Sequence, residues 1–408
     1  MTLPLEGIRV LDLGVWQQGP YASTMLADMG ADVIKIEAPL APDPGRRFLL
    51  SRRLGLSPYF EAHNRNKRSL AIDLKHPKGK AVFWRLAERA DVFIHNTRGG
   101  SIERLGLDYE SFRKVNPRIV YVWASGYGPR GPDTALRSFD ILGQARGGIM
   151  TVIGEPDDPP LPVGPPIADQ TGAFLAAWGI MVALFHRERT GEGQQVNTSL
   201  LGGQVALQSF NITNYLLHGR LPTRRPRGGF TALWNIYRGG DGRYFVMGML
   251  EERWWPEFCR AIGQPELEHD PMYATAVKRH ENFESLLAHL DAHFATQPAR
   301  EWVRRITDHD LIAAPVQDYE ELVADPQVAA NDYIVEVEWP GHDPMRVVGV
   351  PVELSKTPGS VRSLAPPLGQ HTVEVLLEYG FSTEEIAALR DEGVVAVAAD
   401  ETPPAKSG

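Results

Sequence analysis

The feature that most constrains this chain is the alternation of short apolar, β-branched runs with helical runs over its first 125 residues. Residues 8–13 and 32–37 read as strands around a helix at 21–29. The strand pattern returns at 69–74, 92–95 and 119–124, with helices at 78–90 and 109–115 between. Strands joined through helices run parallel, and their crossovers are right-handed. The expected fold is therefore α/β, a layered domain built on a parallel sheet.

At 408 residues the chain is too long for one ordinary domain. A helical stretch at 200–217 leads into a Pro/Arg/Gly-rich run at 220–229, which reads as a linker. Paired strands at 234–238 and 244–249, around Gly239-Gly240-Asp241-Gly242, open a second domain. Helices follow at 252–262, 281–294 and 298–308, and the chain leads out over 322–330. It is strand-rich again from 334, and ends on helices at 370–378 and at a capping box, Ser382 to Glu385. The expected organisation is a large domain from 1–199 and 331–399, a connector at 200–227, a small α+β domain at 228–330, and a frayed polar tail at 400–408.

The 42 basic and 51 acidic residues give a net charge of −9, which argues against non-specific contact with nucleic acid or anionic membrane. Cys259 is the only cysteine, so no intramolecular disulfide and no thiolate cluster can form, and a cytoplasmic setting is expected. Within its amphipathic helix it reads as a buried, inert thiol. No basic and apolar leader is visible at the N-terminus. The uncharged stretch at 173–185 falls short of the roughly 20 residues of a membrane span. His289 and His293 stand one helical turn apart but lack the glutamate of a zinc motif, so they read as solvent-facing and no metal site is expected. Gly14 and Gly19 have the spacing of a phosphate loop, but Pro20-Tyr21 stands where Lys and Ser/Thr belong, and GxGxxG is absent.

Asp169 is the residue most able to carry chemistry. It directly precedes the uncharged run at 173–186, in Gly164-Pro165-Pro166-Ile167-Ala168-Asp169-Gln170-Thr171-Gly172. Backbone N–H groups at a helix start favour a carboxylate there, as a cap or as a nucleophile toward an activated acyl group. The segment alone favours the cap.

Other segments weigh on that choice. They are Leu5-Glu6-Gly7-Ile8-Arg9-Val10-Leu11-Asp12, Met29-Gly30-Ala31-Asp32-Val33-Ile34-Lys35-Ile36-Glu37 and Asn66-Lys67-Arg68-Ser69-Leu70-Ala71-Ile72-Asp73-Leu74-Lys75. Arg104-Leu105-Gly106-Leu107, Ser125-Gly126-Tyr127-Gly128, Thr190-Gly191-Glu192-Gly193-Gln194 and Ala365-Pro366-Pro367-Leu368-Gly369-Gln370-His371-Thr372 follow in order. Over about 5–394 the chain resembles the class III coenzyme A transferases, the family of formyl-CoA transferase and the carnitine CoA-transferases.

The resemblance implies a Rossmann-like large domain, a smaller α+β domain, and two ring-shaped chains interlocked in a homodimer. It implies CoA transfer from an acyl-CoA, with succinyl-CoA a family-level guess, to a carboxylic acid. Asp169 would act through an aspartyl anhydride and an aspartyl-CoA thioester. CoA is a substrate, and no cofactor is implied. The implied CoA contacts are Gln17, Gln18, Ile72, Asp73, Lys75, Asn96, Thr97, Arg98, Arg104, Arg137 and Asp140, with Arg65, Lys67 and Arg68 as further candidates. Trp16, Tyr21, Gly228, Gly229, Phe230 and Trp234 are candidates for the acyl pocket, although core packing explains the aromatics as well. Ala38 and Phe139 replace a basic residue and a tyrosine of formyl-CoA transferase, and only Gly228-Gly229 stands for its glycine run, which argues against oxalate and formyl-CoA. Two rivals are an α-methylacyl-CoA racemase, which needs a histidine where Phe139 stands, and a non-catalytic acyl-CoA-binding protein.

Overall fold

A computed structural model describes residues 2–398, so the tail expected to fray from Asp400 lies outside the described residues. The chain divides into two compact units. One takes residues up to Ile149, Pro162–Leu216 and the chain from Pro326; the other takes Met150–Leu161 and Leu217–Asp325.

The first unit opens with β1 (Arg9–Asp12), α1 (Gln18–Asp28), β2 (Asp32–Glu37), α2 (Pro58–Asn64), β3 (Arg68–Ile72) and α3 (Pro77–Ala87). It continues through β4 (Val92–His95), α4 (Ser101–Leu105), α5 (Tyr109–Val115), β5 (Val120–Ser125) and α6 (Asp140–Arg146). Then come α7 (Ile167–Thr190), β6 (Gln194–Ser199), α8 (Leu200–Leu207) and α9 (Ser209–His218). The second unit holds β7 (Trp234–Arg238), β8 (Tyr244–Gly248), α10 (Trp255–Ala261), α11 (Ala276–Glu281), α12 (Phe283–Phe294), α13 (Ala299–Asp308), β9 (Ala313–Pro315) and α14 (Tyr319–Ala324). The return adds α15 (Pro326–Ala330), β10 (Ile334–Val337), β11 (Met345–Val348), α16 (Thr372–Glu378), α17 (Thr383–Asp391) and β12 (Val395–Ala396).

The main sheet has the order β12-β3-β2-β1-β4-β5-β6. All neighbours are parallel except β12, which pairs antiparallel with β3. Alternating side chains feed two cores, as the two-residue period of a strand requires. In β4, Phe93 points into a core with Phe83, Phe112, Val375 and Leu376, while Val92 and Ile94 point into another with Ala22, Leu26, Ala176 and Ile180. Strand order reverses at β1, which lies between β2 and β4. In open α/β sheets ligands bind beyond the carboxyl ends of the strands at such a reversal.

The second unit carries the antiparallel sheet β7-β8-β9 and its own core around Tyr237, Phe245, Trp255, Phe258, Phe294 and Trp302. Its extent differs from the sequence boundaries. It includes Met150–Leu161, whose carbonyl oxygens at Met150, Thr151 and Pro159 accept from the Arg224 guanidinium. The long helix expected at 200–217 is broken at Gln208, where α8 ends, and the side chain there donates to the Gly147 and Gln204 carbonyls. The helix expected at 281–294 is α12, which starts two residues later at Phe283, after the short α11 and Asn282.

His289 and His293 are half-buried rather than solvent-facing. They grip the Gln264 amide, with His289 Nε2 at 2.8 Å from Oε1 and His293 Nδ1 at 3.1 Å from Nε2. Cys259 is buried, which pushes its thiol up to about 12. The apolar stretch judged too short for a bilayer sits in a longer helix. α7 has 24 residues and passes on length and composition alone. One of its faces packs on α1, β5, β6 and α8, which makes it the central helix of an α/β layer.

Candidate active site

The bend after β1 opens the site. Gly14 is required there, because a Cβ would stand 2.8 Å from both Asp12 Oδ1 and Pro20 Cδ. Trp16 follows in the left-handed region, at φ +64°. Gln17 precedes α1 without capping it, and Gln18 is its first residue. Both glutamines are buried. Gln17 Nε2 donates to Gln170 Oε1 at 2.9 Å, which ties the bend to the first turn of α7. Gln17 Oε1 and Gln18 Nε2 are buried with no hydrogen-bond partner among the described residues. Buried amide atoms are nearly always satisfied, so these two are open to a water or to a polar ligand group.

Asp169 lies on that first turn, three residues into α7 rather than at the cap. The cap comes from across the chain. Asp140, at the start of α6, accepts from the Ala168 and Asp169 N–H groups through Oδ1, at 2.7 and 3.1 Å, and from Gln144 Nε2 through Oδ2, at 2.6 Å. These first-turn amides are thus capped by Asp140 rather than by the N-cap residue Pro166. Burial first, and the neighbouring Asp140 charge second, push its carboxyl up to about 7, opposed by the backbone amide of Gln18. Such a carboxylate ionises near neutrality and is a stronger base and nucleophile than an ordinary aspartate.

An aromatic cluster stands beside this carboxylate. The Trp16 ring meets Phe48, Tyr59 and Phe139 edge-on, with centroids 6.0, 6.1 and 6.0 Å away. Burial first, and then the charges of Asp169, Asp43 and Asp140, raise the Tyr59 phenol. Tyr59 is absent from the sequence candidates. Its only local signal is the Ser57-Pro58 start of α2, which says nothing of chemistry. Tyr21 meets His63 and Phe174, and the His63 ring in turn packs on Tyr59. Among the described residues no three His, Cys, Asp or Glu side chains gather to hold a metal.

The sequence model of CoA-transferase family III matches residues 5–372. The chain belongs to that family. It is a CoA-transferase, moving CoA between an acyl-CoA and a carboxylic acid. It is 34% identical to a succinyl-CoA–D-citramalate CoA-transferase of Chloroflexus aurantiacus, over 96% of this chain and 98% of the relative. It is 35% identical to a formyl-CoA:oxalate CoA-transferase of Streptomyces avermitilis, over 97% of this chain and all of the relative. A crystal structure of a CAIB/BAIF family protein from Brucella suis superposes with a TM-score of 0.84 at 29% identity, covering 93% of this chain and 100% of that one.

The expected CoA contacts of this transferase separate into groups. Gln17, Gln18 and Asp140 gather around Asp169. Asn96 bonds the Val15 backbone on both sides, as acceptor at 2.9 Å and donor at 2.6 Å. Thr97 and Arg98 continue from β4, where Gly99 lies so close to the Thr134 carbonyl that a Cβ would stand 2.9 Å from it. The loops after β4 and β5 are thus neighbours. Arg98 and Arg137 are exposed on them, and Arg104 is exposed on α4. Arg104 Nη2 donates to Ser101 Oγ at 3.0 Å. Lys75 is exposed beyond the end of β3, and its N–H donates to Asp73 Oδ1 at 2.9 Å. The Ile72 side chain is committed to the core. Gly228, Gly229 and Phe230 belong to the second unit, where Phe230 meets Trp234 at 6.3 Å.

The three further basic candidates are committed inside the fold. Arg65 pairs with Asp28 at 2.8 Å, and Lys67 is buried against Asp12 at 2.9 Å. Arg68 pairs with Asp32, Glu374 and Glu378. Their charges are paired within the fold, which disfavours a role in phosphate binding.

Proposed function

We propose that Asp169 is the nucleophile of a two-intermediate transfer. Its carboxylate attacks the thioester carbonyl of an acyl-CoA, the C–S bond breaks, and a mixed anhydride forms as CoA thiolate leaves. The thiolate attacks the aspartyl carbonyl, releases the donor's carboxylate, and leaves an Asp169–CoA thioester. The acceptor carboxylate attacks this thioester and expels thiolate again. The thiolate then attacks the acceptor carbonyl of the new anhydride, giving the product thioester and free Asp169. The overall exchange trades one thioester for another, and the anhydrides between are more activated, so the site must hold the groups in place and exclude water. The observation that carries this reading is the half-buried Asp169, raised to about 7 beside the unsatisfied Gln17 and Gln18 amides.

No metal or redox group is needed. Arg98, Arg104 and Arg137 suit the phosphates of CoA, since guanidinium binds phosphate in bidentate geometry. The racemase reading finds no support, because Phe139 has no proton to exchange. A homodimer fits the exposed apolar stripe of α7, where Phe174, Trp178, Val182 and Phe185 share one face, with Trp178 67% and Phe185 65% exposed. A cytoplasmic setting fits the single thiol at Cys259. The test is mass spectrometry after incubation with a panel of acyl-CoAs, trapping with hydroxylamine. A modified Asp169 peptide, absent in Asp169→Ala, is expected. Deuterium exchange at the acyl α-carbon with no adduct would overturn the reading.

A further inference from the structure

Three consecutive residues at the bend after β1 are each held by a side chain from another part of the fold. The Gly14 carbonyl accepts from Lys35 Nζ at 2.8 Å. Asn96 binds Val15 on both sides. The Trp16 N–H donates to Asp43 Oδ1 at 3.0 Å. Lys35 and Asp43 in turn pair with each other at 2.9 Å, and neither side chain is exposed at all. Oδ1 of Asp43 also accepts from the Gly45 N–H, at 2.9 Å.

The conformation under this grip is one that a bulky residue avoids. Trp16 sits at φ +64°, where glycine is at ease and a large side chain is strained. Such strain persists only where the surroundings over-determine it, and it concentrates at functional sites. Directly after the strained residue come Gln17 and Gln18, whose backbone amide lies beside the Asp169 carboxylate. The Trp16 ring itself faces Phe48, Tyr59 and Phe139.

Burying this pair is expensive, and the fold balances it. Three cations, Lys35, Lys67 and Arg46, meet three anions, Asp43, Asp12 and Glu37, in neighbouring pairs. A buried ion pair is no efficient source of stability, since apolar replacements often match it. Its retention under a strained residue at the site calls for another role.

We infer that Lys35 and Asp43 are positioning residues of the transfer reaction. They hold Trp16 in its left-handed state, and so set the Gln18 amide and the Trp16 ring relative to the acyl carbon on Asp169. They touch no substrate and act only through Trp16 and Gly14. The inference rests on the assignment of Asp169 as nucleophile.

The test compares two neutral replacements of the pair in the full chain. Lys35→Met with Asp43→Asn leaves an oxygen to accept the Trp16 N–H; Lys35→Met with Asp43→Leu removes it. Neither leaves an unpaired buried charge. Amide exchange is read first, on the peptide containing Val15 and Trp16. In the wild type it should exchange as slowly as β1, and in the Leu variant at least about tenfold faster than in the Asn variant. The kcat of the Leu variant should fall about 10- to 100-fold below that of the Asn variant, with KM for acyl-CoA within about threefold. Equal kcat in the two variants, a loss confined to KM, or fast exchange of the bend in the wild type would overturn the inference. The Asp169 adduct in the wild type is measured separately, so failure of the nucleophile assignment is seen apart from failure of the positioning role.

Discussion

Asp169→Asn should make the protein inactive and more stable. The substitution keeps the shape of the side chain and removes its charge. In the fold the carboxyl is raised from 3.8 to about 7 by burial and by Asp140. Between these values the native state holds a proton that the unfolded chain has released, so stability falls as pH rises through the interval. Above pH 7 the cost has a ceiling of about 4 kcal/mol, at roughly 1.4 kcal/mol per tenfold in proton affinity. Asp169 is only half-buried and water screens the charge, so about 1–2 kcal/mol is the expected gain for the asparagine variant at pH 8. The gain should shrink steadily below pH 7 and be nearly gone at pH 4. Urea denaturation of both proteins at pH 8, 6 and 4, at equal protein concentration, measures it. If the variant is less stable than the wild type at pH 8, or its advantage does not shrink on acidification, Asp169 is serving the fold as an ordinary helix-start carboxylate and the argument from its raised pKa fails.

The rate of adduct formation should rise with pH through about 7, since only the ionised carboxylate attacks. In Asp140→Asn the midpoint should move down without reaching the ordinary aspartate range, because burial is the larger cause; stopped-flow release of CoA follows both. Arg104→Ala and Arg137→Ala should each raise KM for acyl-CoA about 5- to 50-fold with kcat little changed, and the effect should weaken at high salt. Steady-state kinetics with CoA and dephospho-CoA donors separates the 3′-phosphate from the pyrophosphate. Trp178→Glu, on the exposed face of α7, should shift the protein toward monomer in sedimentation velocity, since burying a charge in an apolar contact is costly.

Where the sequence was legible, one period carried the information. The βα alternation yields the parallel sheet because each strand buries both faces, and Val10-Leu11, Val33-Ile34 and Val92-Phe93 divide between two cores. The capping box at Ser382 and Glu385 is equally local, and it is formed. What stayed hidden depends on contacts between distant residues. Nothing near Arg224 announces that it holds the carbonyls of Met150, Thr151 and Pro159, which join the second unit from an earlier part of the chain. Arg65, Lys67 and Arg68 looked like phosphate ligands because their partners Asp28, Asp12 and Asp32 lie far back in the chain.

Asp169 shows how a local argument and a family resemblance can point to different roles for one residue. Its place before an apolar helix is plain in the sequence, and the local argument favours a cap. The deciding fact lies 29 residues earlier, where Asp140 supplies that cap with its own carboxylate. The substitution of roles has two consequences at once. It satisfies the amides of α7 without using the Asp169 side chain, which leaves that carboxylate available for chemistry. It also sets a second negative charge beside it, which keeps its proton affinity high. A serine or threonine at position 140 could give the first effect but not the second. On the proposed mechanism the choice of an acid as the cap serves the chemistry as well as the fold, and Asp140→Ser, which keeps a cap while removing the charge, would separate the two.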